Sequence, residues 1–265
     1  MKLHEVLEQH PQDVIFTSKY LKQRGISSTL CQRYQQSGHL KSLGYGAWCL
    51  ADQEPTLFHA LSCLQQQEQK PIHIGGLTAL ILHRQTHYVY PDITNPWYVM
   101  PTATHLPFWF EKHLWGVWPQ KQQTNFLPYD IGLISWEPKK QPKVIISSIE
   151  RATLECLHGA PRKISLAECY QNLECLCFDD SIHIDLMQTL LEQCQSHKVK
   201  KLFLSFAEHN EVEWFDDLNL SNISLGQGIH VASPFEGGQL CQKYKVMIPQ
   251  SVLALDDYQQ AYQMD

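Results

Sequence analysis

The sequence predicts an α+β fold: a small helical head that ends in a hairpin, followed by a larger mixed α/β body. Three observations predict it. First, charge is segregated. Residues 1–50 carry six Lys/Arg against three Asp/Glu, net +3, which leaves −9 for the rest of a chain of net charge −6. Within FTSKYLKQRGISSTLCQRYQQSGHLKSLGYGAWCL (residues 16–50) there are five basic residues and no acid. Second, Gly25, Gly38, Gly44 and Gly46 punctuate that stretch where helices and a hairpin would end or turn. Third, the body alternates helix-period segments with short apolar runs and Pro-rich aromatic stretches, the mark of mixed structure.

In the head, Leu3, Val6 and Leu7 sit at helical spacing and Pro11 stops that helix. A second helix fits residues 17–24, with Thr17 as N-cap, Tyr20 and Leu21 inward, and Gly25 past the end. Ile26 plugs the turn. Ser27 or Ser28 caps a third helix running to Ser37, with Leu30, Cys31 and Tyr34 on its apolar face. Ser28, Thr29, Gln32, Arg33 and Gln36 then point outward. These are residue types that reach base edges: Arg for guanine, Gln for adenine, Ser and Thr for either. HLKSLGYGAWCL reads as a hairpin in the position of a wing, with Lys41 and Tyr45 beside a flanking backbone. Helix, Gly turn, polar-faced helix and hairpin together read as a winged helix-turn-helix. Lys19, Lys22, Arg24 and Lys41 are its candidate phosphate contacts.

In the body, TLFHALSCLQQQ is a helix capped by Thr56. Ile72 and Ile74 mark a strand, Gly75-Gly76 a turn, and residues 77–83 a helix. The glycine pair lacks both the dinucleotide fingerprint and the Walker lysine, so a tight helix–strand turn is preferred over a phosphate cradle. Residues 90–142 read as short strands and loops with Trp and Phe in the core, VMPTATHLPFWF and FLPYDIGLISWE being the strand candidates. Residues 144–148 form a strand, and SSIERATLECLHG a helix capped by Ser147 or Ser148. Helices follow at 184–196 and 199–207, then a strand pair within SLGQGIHVASPFEGGQLCQKYKVMIP, and a tail at 250–265 that frays. On the second of those helices Lys198, Lys200 and Lys201 form the one basic spot of the acidic half. That spot is either a solvated helix face or a second contact surface. The domain reading is 1–50 head, 51–145 central region, 146–249 C-terminal region and 250–265 tail, with 51–249 also readable as one domain.

Composition and motifs narrow the function. The start, MKLHEVLEQHPQDV, has no apolar core for a signal peptide, and no run reaches the ~18 apolar residues of a membrane span. Nine scattered cysteines without a C-x-x-C pair point to reduced thiols and a cytoplasmic protein. Cys169, Cys175, Cys177 and His183 do not have zinc spacing, and His73, His83 and His87 lack a metal-binding frame, so no metal is expected. Glu150, Arg151 and Glu155 read as an internal ion pair at a helix start. No nucleophile elbow, P-loop or kinase signature is present, so neither catalysis nor a cofactor is expected.

Five motifs then fall in a recognisable order: the head segment quoted above, HIGGLTAL, SSIERATLECL, HKVKKLFLSFAE and GGQLCQKYKVMIP. Over residues 14–249 the chain resembles the AbiEi-type antitoxins, transcriptional regulators of type IV toxin–antitoxin systems. The resemblance implies a bacterial, non-enzymatic repressor. Its winged helix-turn-helix would bind inverted repeats of double-stranded DNA in its own promoter, and its C-terminal domain would counter a nucleotidyltransferase-like toxin without a stable complex. Carried onto this chain, base reading falls to Ser28, Thr29, Gln32, Arg33 and Gln36, and phosphate contact to Lys19, Lys22, Arg24 and Lys41. The alternative reading of the residues is a protein-interaction module that does not bind DNA and inhibits a partner directly.

Overall fold

The computed structural model describes residues 3–9, 14–138, 142–176, 181–232 and 237–255. In the head, α1 (Leu3–Gln9) buries Leu3 and Val6. A three-residue strand, β1 (Ile15–Thr17), follows, then α2 (Ser18–Gln23) and α3 (Ser28–Gln36). Both helices are capped as the sequence indicates. The Thr17 hydroxyl accepts from the Tyr20 N–H at 3.2 Å and the Ser27 hydroxyl from the Leu30 N–H at 3.2 Å. The chain then turns into the antiparallel pair β2 (Leu40–Gly44) and β3 (Ala47–Leu50). β1 was not expected. It is too short to show alternation, and its partner β3 lies about thirty residues on, so only the folded chain reveals the sheet order β1-β3-β2.

Phe16, Leu21, Ile26, Cys31 and Leu40 close a small core beneath these elements. Ile26, in the turn between α2 and α3, is fully buried. Ile26→Ala is expected to cost about 2–5 kcal/mol, read by urea unfolding. A cost below about 1 kcal/mol would mean that the turn is not held by this side chain.

The head sheet packs directly on the helix that follows it. Ile15, Ala47 and Cys49 pack into one core with Leu57, Leu61 and Leu64 of α4 (Leu57–Gln66). The Gln67 amide completes the join: its Oε1 accepts from the Thr17 N–H at 2.9 Å and its Nε2 donates to the Ile15 carbonyl at 2.8 Å. α4 therefore covers the exposed backbone of β1 as well as its apolar face.

In the body come β4 (His73–Ile74), α5 (Gly76–His83), β5 (Trp97–Met100), α6 (Phe108–Lys112), β6 (Gln120–Gln123), β7 (Leu133–Trp136) and β8 (Val144–Ser147). The sheet order is β6-β5-β4-β8-β7, with β4 parallel to β8, β5 parallel to β6, and the other pairs antiparallel. One expectation is corrected here. VMPTATHLPFWF is not one strand: β5 stops at Met100, and after Pro107 the aromatics wind into α6, burying Trp109 and Phe110. The polar QKQQ, with no apolar signal of its own, becomes edge strand β6 by pairing with β5.

Four helices complete the core: α7 (Ile149–Gly159), α8 (Leu166–Glu174), α9 (Ile184–Gln193) and α10 (His197–His209). α8 was weighed only as part of a cysteine cluster. Yet Leu166, Cys169, Tyr170 and Leu173 fall at i, i+3, i+4 and i+7 and are all buried. Cys177 of that cluster lies outside the described residues. The expected C-terminal strand pair is part of a three-stranded sheet formed by β9 (His230–Val231), β10 (Gly238–Cys241) and β11 (Val246–Pro249), in the order β10-β11-β9. Residues 250–255 continue as helix and bury Val252, so that part of the expected tail does not fray; 256–265 lie outside the described residues. Among the described residues no helix is long and apolar enough to cross a membrane.

Candidate nucleic-acid interface

α3 carries the five residues expected to read bases. Ser28, Thr29, Gln32, Arg33 and Gln36 are spaced i, i+1, i+4, i+5 and i+8, so they share one helix face, and all five are exposed. Cys31, buried, holds the opposite face to the head core. Among the described residues, none of the five side chains is engaged in a hydrogen bond or ion pair. A polar face with no internal commitment can be dehydrated against an outside partner without breaking anything in the fold.

The cations around it differ in readiness. Lys19 and Lys22 are exposed on α2 and unpaired among the described residues. Arg24 is half-buried, its guanidinium carbon 3.5 Å from the centroid of the Tyr20 ring. That stacking fixes the side chain and leaves its edge donors available. Lys41 is engaged: its ammonium meets Glu54 at 2.7 Å. The hydrogen bond to Glu54 raises Lys41 and lowers Glu54 from their ordinary values, so both are charged at neutral pH. Sequence reasoning missed this partner. The head segment contains no acid, but Glu54 lies just past the hairpin and folds back onto it.

At the hairpin tip, Gly44 and Gly46 take φ of +128° and +91°, conformations that suit glycine, and Tyr45 between them is 94 % exposed. The flank of the hairpin leans on α6, where a side chain at position 44 would press on Trp109.

The Lys41–Glu54 pair gives a test. Glu54→Gln should tighten binding to any duplex DNA, because it frees the ammonium for phosphate, and Lys41→Ala should flatten the salt slope by about 0.9. If neither variant moves the slope in a salt titration, Lys41 does not touch DNA.

The second basic spot is not a surface. Lys200 and Lys201 are each 2 % exposed, and Lys198 is half-buried. The ammonium of Lys198 donates to the Ala160 carbonyl and that of Lys201 to the Gly228 carbonyl. Burial pulls the pKa of both down. The sequence stripe of Val199, Leu202, Phe203 and Phe206 suggested a helix with one buried side. In fact α10 is enclosed on all sides from Val199 to Ala207, and the lysine stems run through apolar surroundings to reach carbonyls.

The histidines of the body do not gather either. His73 faces Glu155, while His83 Nε2 contacts the Ser147 carbonyl at 2.9 Å. Among the described residues no three candidate ligands are grouped to hold a metal. What the body does contain is a buried ionic hub. The Glu155 carboxylate, 0 % exposed, accepts from His73 Nε2 (2.8 Å), Arg151 Nε (2.8 Å), Ser147 Oγ (2.7 Å) and the Gly76 N–H (2.9 Å). Arg151 Nη1 donates to the carbonyls of Pro128 and Ile131. Burial raises Glu155, but His73, Arg151 and Ser147 outweigh it and bring the carboxyl down to about 2. The glycine pair is explained here. A side chain at Gly75 would strike the Glu155 carboxylate at 2.3 Å, and one at Gly76 the Trp97 ring at 2.1 Å. The N-terminus of α5, where a phosphate could sit, already holds this protein's own carboxylate.

Two family models match this chain. Residues 96–249 match the transcriptional regulator, AbiEi antitoxin, type IV TA system, and residues 1–90 match the transcriptional regulator, AbiEi antitoxin N-terminal domain. The class is that of transcriptional regulators with an antitoxin role. The chain belongs to the AbiEi antitoxin family of type IV toxin–antitoxin systems. In fold it is similar to the RV2827C protein from Mycobacterium tuberculosis, with TM-score 0.59 at 11 % identity over 96 % of this chain and 92 % of that one. No curated protein matches it.

Proposed function

We propose that this regulator acts by binding double-stranded DNA through a winged helix-turn-helix formed by α1 to β3. It would occupy inverted repeats in the promoter of its own operon and repress it. α3 enters the major groove and the β2–β3 wing lies on the flanking backbone. The observation that carries this is the polar face of α3, bordered by Lys19 and Lys22, all without a side-chain partner among the described residues, and followed by a hairpin whose tip presents Tyr45 to solvent. The connectivity supports it too: helix, strand, helix, helix and hairpin, with the first strand paired to the last, is the order of a winged helix. Charge supports it further, since the basic head is attached to an acidic body that duplex DNA would repel.

On this reading Ser28, Thr29, Gln32, Arg33 and Gln36 choose the sequence, while Lys19, Lys22, Arg24 and Lys41 supply affinity that does not depend on sequence. The partner in the operon is a nucleotidyltransferase-like toxin, countered without a stable complex, and the work is done in the bacterial cytoplasm. The test is fluorescence anisotropy of the full chain on its upstream DNA and on a scrambled duplex across a salt series. The upstream fragment should bind more tightly, and four phosphate contacts predict a log–log salt slope of about −3.6 per protomer. Equal binding to both duplexes would remove sequence reading, and no binding at low salt would remove the DNA function. Stoichiometric co-purification with the neighbouring toxin would instead favour direct inhibition.

A further inference from the structure

A groove of about 580 Å³ lies between β10 and the C-terminal end of α10, over a floor that includes Tyr170, Phe206 and Ile248. Its walls are within reach of solvent: Leu240, Cys241 and Leu253 are half-buried, and Gln239 is exposed. Successive residues of a strand point to opposite faces. Gln239, Leu240 and Cys241 all line the groove, so it runs along the edge of β10 and not over one face.

That edge offers backbone as well as side chains. Among the described residues β10 pairs with β11 alone. In an antiparallel pair, alternate residues turn N–H and C=O to the partner and the others turn them away. The Gln250 N–H donates to the Gly237 carbonyl at 2.7 Å, which makes these two a bonded pair. By the register, Gln239 with Ile248 and Cys241 with Val246 are bonded pairs too. Gly238 and Leu240 therefore turn their N–H and C=O to the open edge, where no described group bonds them. An edge of this kind is a template for one more strand.

Charge selects the occupant. Glu208 and Glu211 line the groove and also an adjoining hollow of about 240 Å³, where Glu213 and Asp216 join them. Lys243 pairs with Glu208, but Glu211, Glu213 and Asp216 are exposed and have no ion pair among the described residues. The last carbonyls of α10 add partial negative charge at the same end. The chain's own final segment, 256–265, carries Asp256, Asp257 and Asp265 and no Lys or Arg, so it has the sign this rim repels.

We propose that this groove docks an extended segment of a partner protein in which an apolar residue is flanked by Lys or Arg. The segment adds a strand to β10 by bonding the Gly238 and Leu240 backbone. Its apolar side chain packs on Leu240, Cys241 and Leu253, and its cations face Glu211 and the acids beside it. The site lies on the C-terminal sheet and does not depend on the DNA reading.

The test is fluorescence anisotropy of the full chain with a labelled peptide of about nine residues that alternates Val or Leu with Lys or Arg; a Kd of about 10–100 µM is expected. The same peptide with Glu in place of each cation should bind about tenfold more weakly or worse, and so should the basic peptide N-methylated along its bonding edge. Leu240→Pro removes an N–H that β11 does not use and should weaken the basic peptide to the same extent. Glu211→Lys should weaken the basic peptide and tighten the acidic one. No binding of the basic peptide would overturn the proposal, and so would equal binding of its N-methylated form, which would reduce the contact to charge alone. A synthetic peptide of residues 256–265 that binds as tightly would give the groove to the chain's own end. A dimer in sedimentation velocity that Leu240→Pro abolishes would give the edge to a second copy. Either result overturns the proposal as well. Should Leu240→Pro fail to fold, the N-methylated peptide decides with the unaltered chain.

Discussion

Glu155→Ala is expected to destabilise the protein by about 3–5 kcal/mol, the largest effect anticipated for any single change here. The reason is the set of groups left behind. Removing the carboxylate strands the Arg151 guanidinium, 3 % exposed, without its counter-ion, and deprives His73, Ser147 and the Gly76 N–H of their acceptor. Urea unfolding of the purified chain measures it. The double change Arg151→Met, Glu155→Leu should cost less than the sum of the single changes, because it removes both charges together. It should still fall short of the natural protein, since the Pro128 and Ile131 carbonyls lose the Arg151 donor. A loss below about 1 kcal/mol for Glu155→Ala would mean that water replaces the carboxylate and the hub contributes little.

The same groups set the response to acid. Burial depresses His73 below its ordinary 6.5, and burial with nearby Lys198 brings His158 down to about 4. Below pH 6.5 the unfolded chain therefore takes up protons that the folded chain refuses, and stability falls as pH falls. Glu155 acts in a lower window. Its folded value of about 2 lies beneath the ordinary 4.5, so its contribution is complete above pH 4.5 and is lost as pH drops toward 2. Stability against pH should be nearly flat above pH 7 and decline in two stages below it. A protein more stable at pH 5 than at pH 7.5 would contradict the neutral state of His73 and His158.

Arg33→Ala is expected to weaken operator binding by about 1–3 kcal/mol and to relax choice at one base position. Arg33 is exposed on α3, has no partner among the described residues, and is the only cation on that face. Bidentate pairing with guanine is the contact that suits it best. The companion change Lys19→Ala should weaken specific and non-specific DNA alike and flatten the salt slope. Anisotropy titration of both variants against operator duplexes altered one base pair at a time separates the two roles. If Arg33→Ala lowers all sequences equally, Arg33 is a phosphate contact and base reading rests on Gln32 and Gln36.

Much of the head was legible because its signals are local. Thr17 and Ser27 are caps whose hydroxyls bond within three residues, Gly25 and Gly38 follow the helix ends, and the period of α3 alone sorts Cys31 inward from Arg33 outward. The candidate site was readable for the same reason: which side of a short amphipathic helix faces water is written in its own sequence. The stretch from Trp97 to Trp136 was harder to read. Its prolines and aromatics suit strand, loop and short helix alike, and QKQQ is a strand only because β5 lies beside it.

Charge marks the boundary between the two kinds of knowledge. Sequence alone determined that the basic residues concentrate in the head and that α3 carries a polar face opposite its apolar one, since both depend on neighbours along the chain. Only the tertiary structure decided which charges are available. It paired Lys41 with Glu54 and folded Lys200 and Lys201 into the core of the C-terminal half. It also carried Glu155 some eighty residues back along the chain to fill the N-terminus of α5. Long-range pairing of this kind leaves no periodicity behind. A charge is recognised as buried or free only when the distant elements that enclose it have come together.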